Sequence, residues 1–261
     1  TWYGGARPYN LNPEDFSTLG QEDFHGTMKR GMIAHPKIDP QTGELIYLDR
    51  SFVSSLVSKT IYHQVVKPSG EAATPIAIEL LRPEAMHDFA ITKNHSVILD
   101  FPLRTMIKKG PGWRDETRSR IGILPRRAGP DAKVQWFETS NNVCLHVVNA
   151  FESDHKVILV AAELEDFVKG IAYLYRWEIN LKTGEVAEGL VDDEAMEFPR
   201  INDQFTGVSN RYAYVPMVAD KPTFLFDRLR KYDFGDHSGQ SRVVVNKNLA
   251  TDCFGSEPVF V

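Results

Sequence analysis

Two cysteines in 261 residues, Cys144 and Cys253, are too few for a disulfide framework. They stand far apart, each in an apolar setting, and read as reduced core thiols of an intracellular protein. No apolar run approaches the ~20 residues that a membrane-spanning helix needs. Positive charge is not in excess either: 30 Lys and Arg against 35 Asp and Glu leave a formal charge of −5, which argues against a nucleic-acid partner. Helical periodicity is scarce, and its best candidates are short: Pro13–Leu19 behind Asn12 as a cap, and Phe52–Ser58. The sequence opens on Thr1 with no signal peptide and stops at Val261 inside a strand-like Pro258–Val261. Both ends read as cut, so a single domain over residues 1–261, incomplete at both ends, is expected, with any targeting segment not visible.

What the sequence does have is short β-type runs separated by Gly and Pro. Glu44–Leu48, Ile76–Leu80, Ser96–Asp100, Val134–Phe137, Val157–Ala161, Ala172–Ile179 and Arg242–Val245 are the clearest. The fold class is therefore all-β. Gly-bearing turns recur at Gly43, Gly70, Gly129, Gly184 and Gly239, and from Gly70 onward the steps are 59, 55 and 55 residues. A unit of a few short strands repeating at that length is the signature of a β-propeller blade, and four to five such units fit this length.

A second periodicity runs through polar residues. His146 lies in the apolar run Val143–Val148; simple alternation puts it with Cys144 and Val148 on one face, opposite Val143, Leu145 and Val147. Alone, it reads as a satisfied core histidine. But His87 precedes it by 59 residues and His35 precedes His87 by 52, while Glu197 follows by 51 and Glu257 by a further 60. One such residue on the innermost strand of every blade would converge on the propeller axis, as a metal site requires. His25, His63, His95, His155 and His237 fall off the repeat and read as surface histidines. Asp88 is expected to face away from His87 and make a structural hydrogen bond. Cys144 has no activating base beside it, and Phe205, Tyr212 and Tyr214 read as core rather than tunnel lining.

Six segments in order, Ala34–Asp39 with Thr42-Gly43-Glu44, Met86–Thr92, Ile123–Arg126, His146–Glu152, Glu197–Asn202 and Phe254–Val261, carry a resemblance to the carotenoid cleavage dioxygenases, a family that includes stilbene-cleaving enzymes and the retinoid isomerase. The resemblance implies a seven-bladed β-propeller with Fe(II) on its axis, bound by four histidines. His35, His87 and His146 match three of these; the fourth would lie beyond Val261. It also implies that Glu197 orients His146 and that Glu257 orients the fourth histidine. The implied activity is that of a non-haem iron dioxygenase, adding O2 across a double bond of a carotenoid or apocarotenoid to give two carbonyl products, without an organic cofactor. A stilbenoid substrate, an isomerase and a catalytically inactive binding scaffold are the alternatives. Stilbene-cleaving relatives grip a phenol with a tyrosine and a lysine; here Trp2 stands near the lysine position, which favours a polyene in an apolar tunnel. The family uses apolar surface near its tunnel mouth to take substrate from membranes, and the runs 51–57 and 101–109, just downstream of the first two histidine motifs, are read either as such peripheral membrane contact or as a buried loop helix. Cytoplasm or plastid is the expected location, and no protein partner is indicated. As an open propeller, the isolated chain is expected to be poorly folded and catalytically silent.

Overall fold

The computed structural model describes residues 5–103, 107, 118–166, 169–220, 224–235 and 242–261. A short antiparallel pair, β1 (Tyr9–Leu11) and β2 (Thr18–Gln21), comes first. Next is a four-stranded meander of β3 (Lys37–Ile38), β4 (Leu45–Asp49), β5 (Thr60–Val66) and β6 (Ile76–Glu79). A second comprises β7 (Ala90–Ile91), β8 (His95–Asp100), β9 (Ser119–Pro125) and β10 (Gln135–Thr139). The remaining strands form one seven-stranded sheet: β11 (Cys144–Ser153), β12 (Lys156–Asp166), β13 (Ile171–Asn180), β14 (Val186–Met196), β15 (Tyr212–Val218), β16 (Phe226–Asp233) and β17 (Arg242–Asn248).

That last sheet is two meanders joined at a seam. β14 and β15 share a single register pair, Met196 with Met217. Past the seam the chain runs on beside β15: Glu197 N–H donates to the Pro216 carbonyl at 3.3 Å, and Arg200 and Tyr214 exchange backbone bonds at 2.8 Å. Residues 197–200 thus serve as the inner strand of a fourth meander, followed by β15, β16 and β17. Every meander now begins with a residue of the polar repeat: His35 just before β3, His87 just before β7, His146 in β11, Glu197 beside β15. The glycine repeat falls into place too. Gly70, Gly129 and Gly184 each lie in the turn from third to fourth strand, and Gly239, outside the described residues, falls between β16 and β17. Gly184 shows why glycine is used, since its φ of 80° is the left-handed conformation that closes the Asn180–Gly184 turn.

Apolar cores lie between successive meanders. Ile46, Leu48 and Ile61 of the first pack on Phe89, Ile91 and Ile98 of the second. Val97, Leu99 and Ile121 meet Leu159, Ala161 and Trp177 of the third, and Val148, Val160 and Leu174 meet Val215, Met217 and Tyr232 of the fourth. Each buried Leu, Ile or Val adds about 1.5–3 kcal/mol. A polar tie crosses every interface as well. Arg126 reaches back to the Asp39 carboxylate, and Asn149 Nδ2 donates to Asn210 Oδ1 at 2.8 Å while its Oδ1 accepts from Gly207 N–H at 3.0 Å.

Between the second and third meanders the tie is Glu152. It accepts from His95 Nδ1 at 2.9 Å, Asn94 Nδ2 at 2.7 Å and the Thr92 hydroxyl. Burial opposes its charge, but the bonds from His95, Thr92 and Asn94 outweigh that and lower its pKa to about 2. A carboxylate depressed in the folded state stabilises above its unfolded pKa of ~4.3 and loses that contribution as pH falls towards 2. Thermal melts should therefore show Glu152→Gln less stable than wild type at pH 6, with the gap narrowing below pH 4 and closing only near pH 2. A gap independent of pH would mean that the charge plays no part.

Several expectations need correction. Pro13–Leu19 is not a helix: the Asp15 side chain takes the Ser17 N–H at 2.9 Å, Phe16 adopts φ 58°, and the chain turns into β2. The helix at 52–58 does form, as α1 (Phe52–Val57), capped by Ser51, whose hydroxyl accepts from Ser54 N–H at 3.1 Å. Its Val53 and Val57 are exposed, whereas part of the run 101–109 lies outside the described residues, as do Trp2 and His237. His63 is buried and bonded to Ser96 Oγ at 2.8 Å, and His95 is half-buried against Glu152. Cys253 and Phe205 are exposed rather than core, Tyr212 and Tyr214 are half-buried, and Pro258–Val261 forms no strand. Among the described residues no helix is long and apolar enough to cross a membrane, and the described sheets do not close into a ring.

Candidate metal centre

His35, His87 and His146 come together from three separate meanders. His35 Nε2 lies 3.1 Å from His87 Nε2, which lies 3.2 Å from His146 Nε2. Ring centroids are 4.8–4.9 Å apart, and the three nitrogens able to ligate lie within 4.8 Å of one another. Imidazole nitrogens bind a divalent ion at ~2.0–2.1 Å, so two of them at right angles around one ion stand roughly 3 Å apart. The observed spacing fits a shared metal ion, and the donor chemistry suits iron, copper or zinc.

His146 reaches the cluster through an irregular strand. The register of β11 against β12 shifts between Cys144 and Val147, and again between Val147 and Asn149. Simple alternation therefore fails here. Val143, Leu145 and Val148 pack towards the fourth meander, and Cys144, Val147 and Ala150 towards the second. Such bulges recur next to functional sites because they re-aim a side chain without ending the strand.

Charge states follow from surroundings. Burial lowers the pKa of His35 to about 3 and of His87 to about 4, so both rings are neutral at pH 7 with lone pairs free for a cation. At His146 burial acts in the same direction but is outweighed by Glu197, with help from the Asp88 and Glu257 charges, and the pKa rises. Glu197 Oε2 sits 2.5 Å from His146 Nδ1 and also accepts from Phe198 N–H at 2.5 Å. A carboxylate on Nδ1 holds the proton there and leaves Nε2 turned to the cluster.

Phe198 is a participant that sequence reasoning missed. Its ring lies against His146, centroids 4.6 Å apart and planes tilted by 40°, and it holds φ 50°, rare for a bulky residue. The only sequence signal is its place between Glu197 and Pro199. Glu257 stands apart from the cluster: 41% exposed at its side chain, it pairs with Arg200 at 3.3 Å. Among the described residues no fourth histidine joins the cluster.

Two cavities flank it. One of about 160 Å³ touches His87 and is lined mainly by Ile33, Ala34, Met86 and Leu103, with Arg50, Ser51 and Ser55 on one part of its wall. The other, about 400 Å³, touches His35 and has mixed walls, with Ile38, Ile91, Val147 and Ile201 beside Lys37, Asn149 and Arg200. Apolar side chains of the kind expected in a polyene tunnel line both, interrupted by polar groups in each.

With this geometry in view, similarity places the protein. The chain belongs to the retinal pigment epithelial membrane protein family, whose model matches residues 2–261. It is 31% identical to carotenoid 9,10(9',10')-cleavage dioxygenase 1 of Pisum sativum, over 98% of this chain and 52% of that protein. Among solved structures it resembles cobalt-substituted Synechocystis ACO, with a TM-score of 0.79 and 23% identity over 99% of this chain and 59% of the other. It also resembles Pseudomonas brassicacearum lignostilbene dioxygenase, with a TM-score of 0.73 and 22% identity over 92% and 57%. The chain spans about half the length of the curated relatives it matches.

Proposed function

We propose that the full-length protein is a non-haem Fe(II) dioxygenase built as a seven-bladed β-propeller, in which His35, His87 and His146 hold the ion on the axis. The observation that carries this reading is the convergence of three imidazoles from three meanders, two of them kept neutral by burial. The chemistry such an ion supplies is O2-dependent scission of a carbon–carbon double bond, leaving two carbonyl products. The protein's own residues prepare the site. Glu197 keeps the His146 proton on Nδ1, Phe198 covers that ring against water, and apolar walls beside His87 suit an extended hydrocarbon.

The name of the pea relative supports a carotenoid or apocarotenoid as substrate. A stilbenoid is the second reading, favoured by Lys37, Asn149 and Arg200 on the walls of the larger cavity, which could hold a phenol hydroxyl. Product analysis of the iron-loaded full-length protein, given an apocarotenoid and resveratrol side by side, decides between them. Faster carotenoid cleavage is expected; the reverse order overturns the ranking, and turnover of neither substrate favours a binding scaffold. Replacing Glu197 by Gln should lower iron affinity or turnover ~10–100-fold, the usual effect of losing a histidine-orienting carboxylate. Unchanged iron content and turnover would reduce Glu197 to a structural role.

A further inference from the structure

We infer that Asp88 is the positioning residue that sets the three histidines against one another, one carboxylate bonded to a backbone N–H beside His87 and His146 and to the Lys37 side chain beside His35. Asp88 directly follows His87 and is 3% exposed. Its Oδ2 accepts from Val147 N–H at 2.9 Å, the residue directly after His146. Its Oδ1 lies 2.6 Å from the Lys37 ammonium, two residues after His35, and accepts from Phe89 N–H at 2.7 Å. Three meanders thus meet on one side chain, immediately behind the histidines. The inference rests on the reading that these histidines hold a metal.

The need for such a tie is visible in β11. On both sides of Val147 the register against β12 slips, so the strand ladder alone does not fix the chain at His146. An anchor from the neighbouring meander supplies what the ladder lacks. The apolar cores between meanders do not do this as well, because dispersion contacts are non-directional and tolerate small sliding motions. A metal site does not tolerate them, since its donors must hold position to within about 0.5 Å. A buried carboxylate with an ammonium and two N–H donors is directional in three directions at once. Leaving any of them unmet in this setting would be costly, which resists slippage. The strongest, charge-assisted bond runs to the first meander, whose inner strand β3, like β7, is only two residues long and offers His35 little support of its own.

The test loads the full-length protein with Co(II) and records its visible d–d absorption spectrum, affinity and melting temperature. Asp88→Asn keeps the shape but loses the charge and one acceptor. Lys37→Met cuts only the tie to the His35 segment. Each is expected to shift the d–d bands and weaken Co(II) binding ~10–100-fold. Made together they should do little more than Asp88→Asn alone, because they cut one network. Lys37→Arg should restore the wild-type spectrum. A control, Arg126→Gln, weakens the same meander contact away from the cluster and should lower the melting temperature without moving the bands. Spectrum and affinity unchanged in Asp88→Asn overturn the inference. If that variant does not fold, Lys37→Met decides, and an unchanged spectrum there overturns it equally. Wild-type protein that binds no Co(II) would instead overturn the metal reading itself.

Discussion

Replacing His87 by alanine in the full-length protein is expected to abolish metal retention and oxygenase turnover together. His87 is the middle member of the cluster, within 3.2 Å of a nitrogen on each neighbour. Its removal leaves His35 and His146 as a pair without the donor that joins them. Loss of a histidine-orienting carboxylate costs ~10–100-fold in affinity, and loss of a donor itself should exceed the upper end of that range. The fold should survive. His87 is only half-buried, and its neighbours Phe89 and Ile91 carry the packing of that segment. Metal analysis after gel filtration, with a melting curve on the same sample, separates the two effects. A His87→Ala protein that keeps stoichiometric iron would mean that the cluster is a packing feature.

Arg126→Ala should be strongly destabilising, at about 3 kcal/mol. The Arg126 side chain is 2% exposed, donates from Nη1 to the Thr92 carbonyl at 2.7 Å, and pairs through Nη2 with Asp39 and with Glu44 at 3.3 Å. Asp39 is itself nearly buried, and its pKa is lowered: burial opposes its charge, but Arg126 outweighs it. Truncation strands that carboxylate without a cation, and an uncompensated buried charge costs ~3–5 kcal/mol. The lower figure applies here because Glu44 is closer to solvent and Gln41 N–H still donates to Asp39 at 2.9 Å. Denaturant unfolding of wild type and variant at pH 7 measures it. A change below about 1 kcal/mol would show that the apolar interface carries the contact alone.

The β architecture and the cluster were both legible in the sequence, for one reason. The meanders repeat, so a residue that opens each of them leaves a recurring spacing of roughly fifty to sixty residues: His35, His87, His146 and Glu197 open four meanders, and Gly70, Gly129 and Gly184 lie in the same turn of three. What stayed hidden depends on contacts between repeats. His63 looks like a surface histidine until Ser96 of the next meander covers it. The β11 bulge hides because one extra residue inverts the alternation from which a strand face is read. Asn12 resembles a helix cap, but side chains that cap a helix can equally close a turn, as Asn12 and Asp15 do here, and Phe16 at positive φ settles for the turn. Phe198 carries no periodic signal at all.

The outer turns make sequence distance between the cluster residues an elastic quantity. Residues added at the Gly70 or Gly184 turn lengthen the path from one cluster residue to the next without displacing either, because the inner strand of each meander is held by its neighbours and not by its own hairpin tip. The uneven steps of 52, 59 and 51 are what such a design produces. The same property makes the Gly184 turn a practical attachment point. No side chain crowds Gly184, so a tag or fluorophore spliced there can report on folding while the centre keeps its spacing.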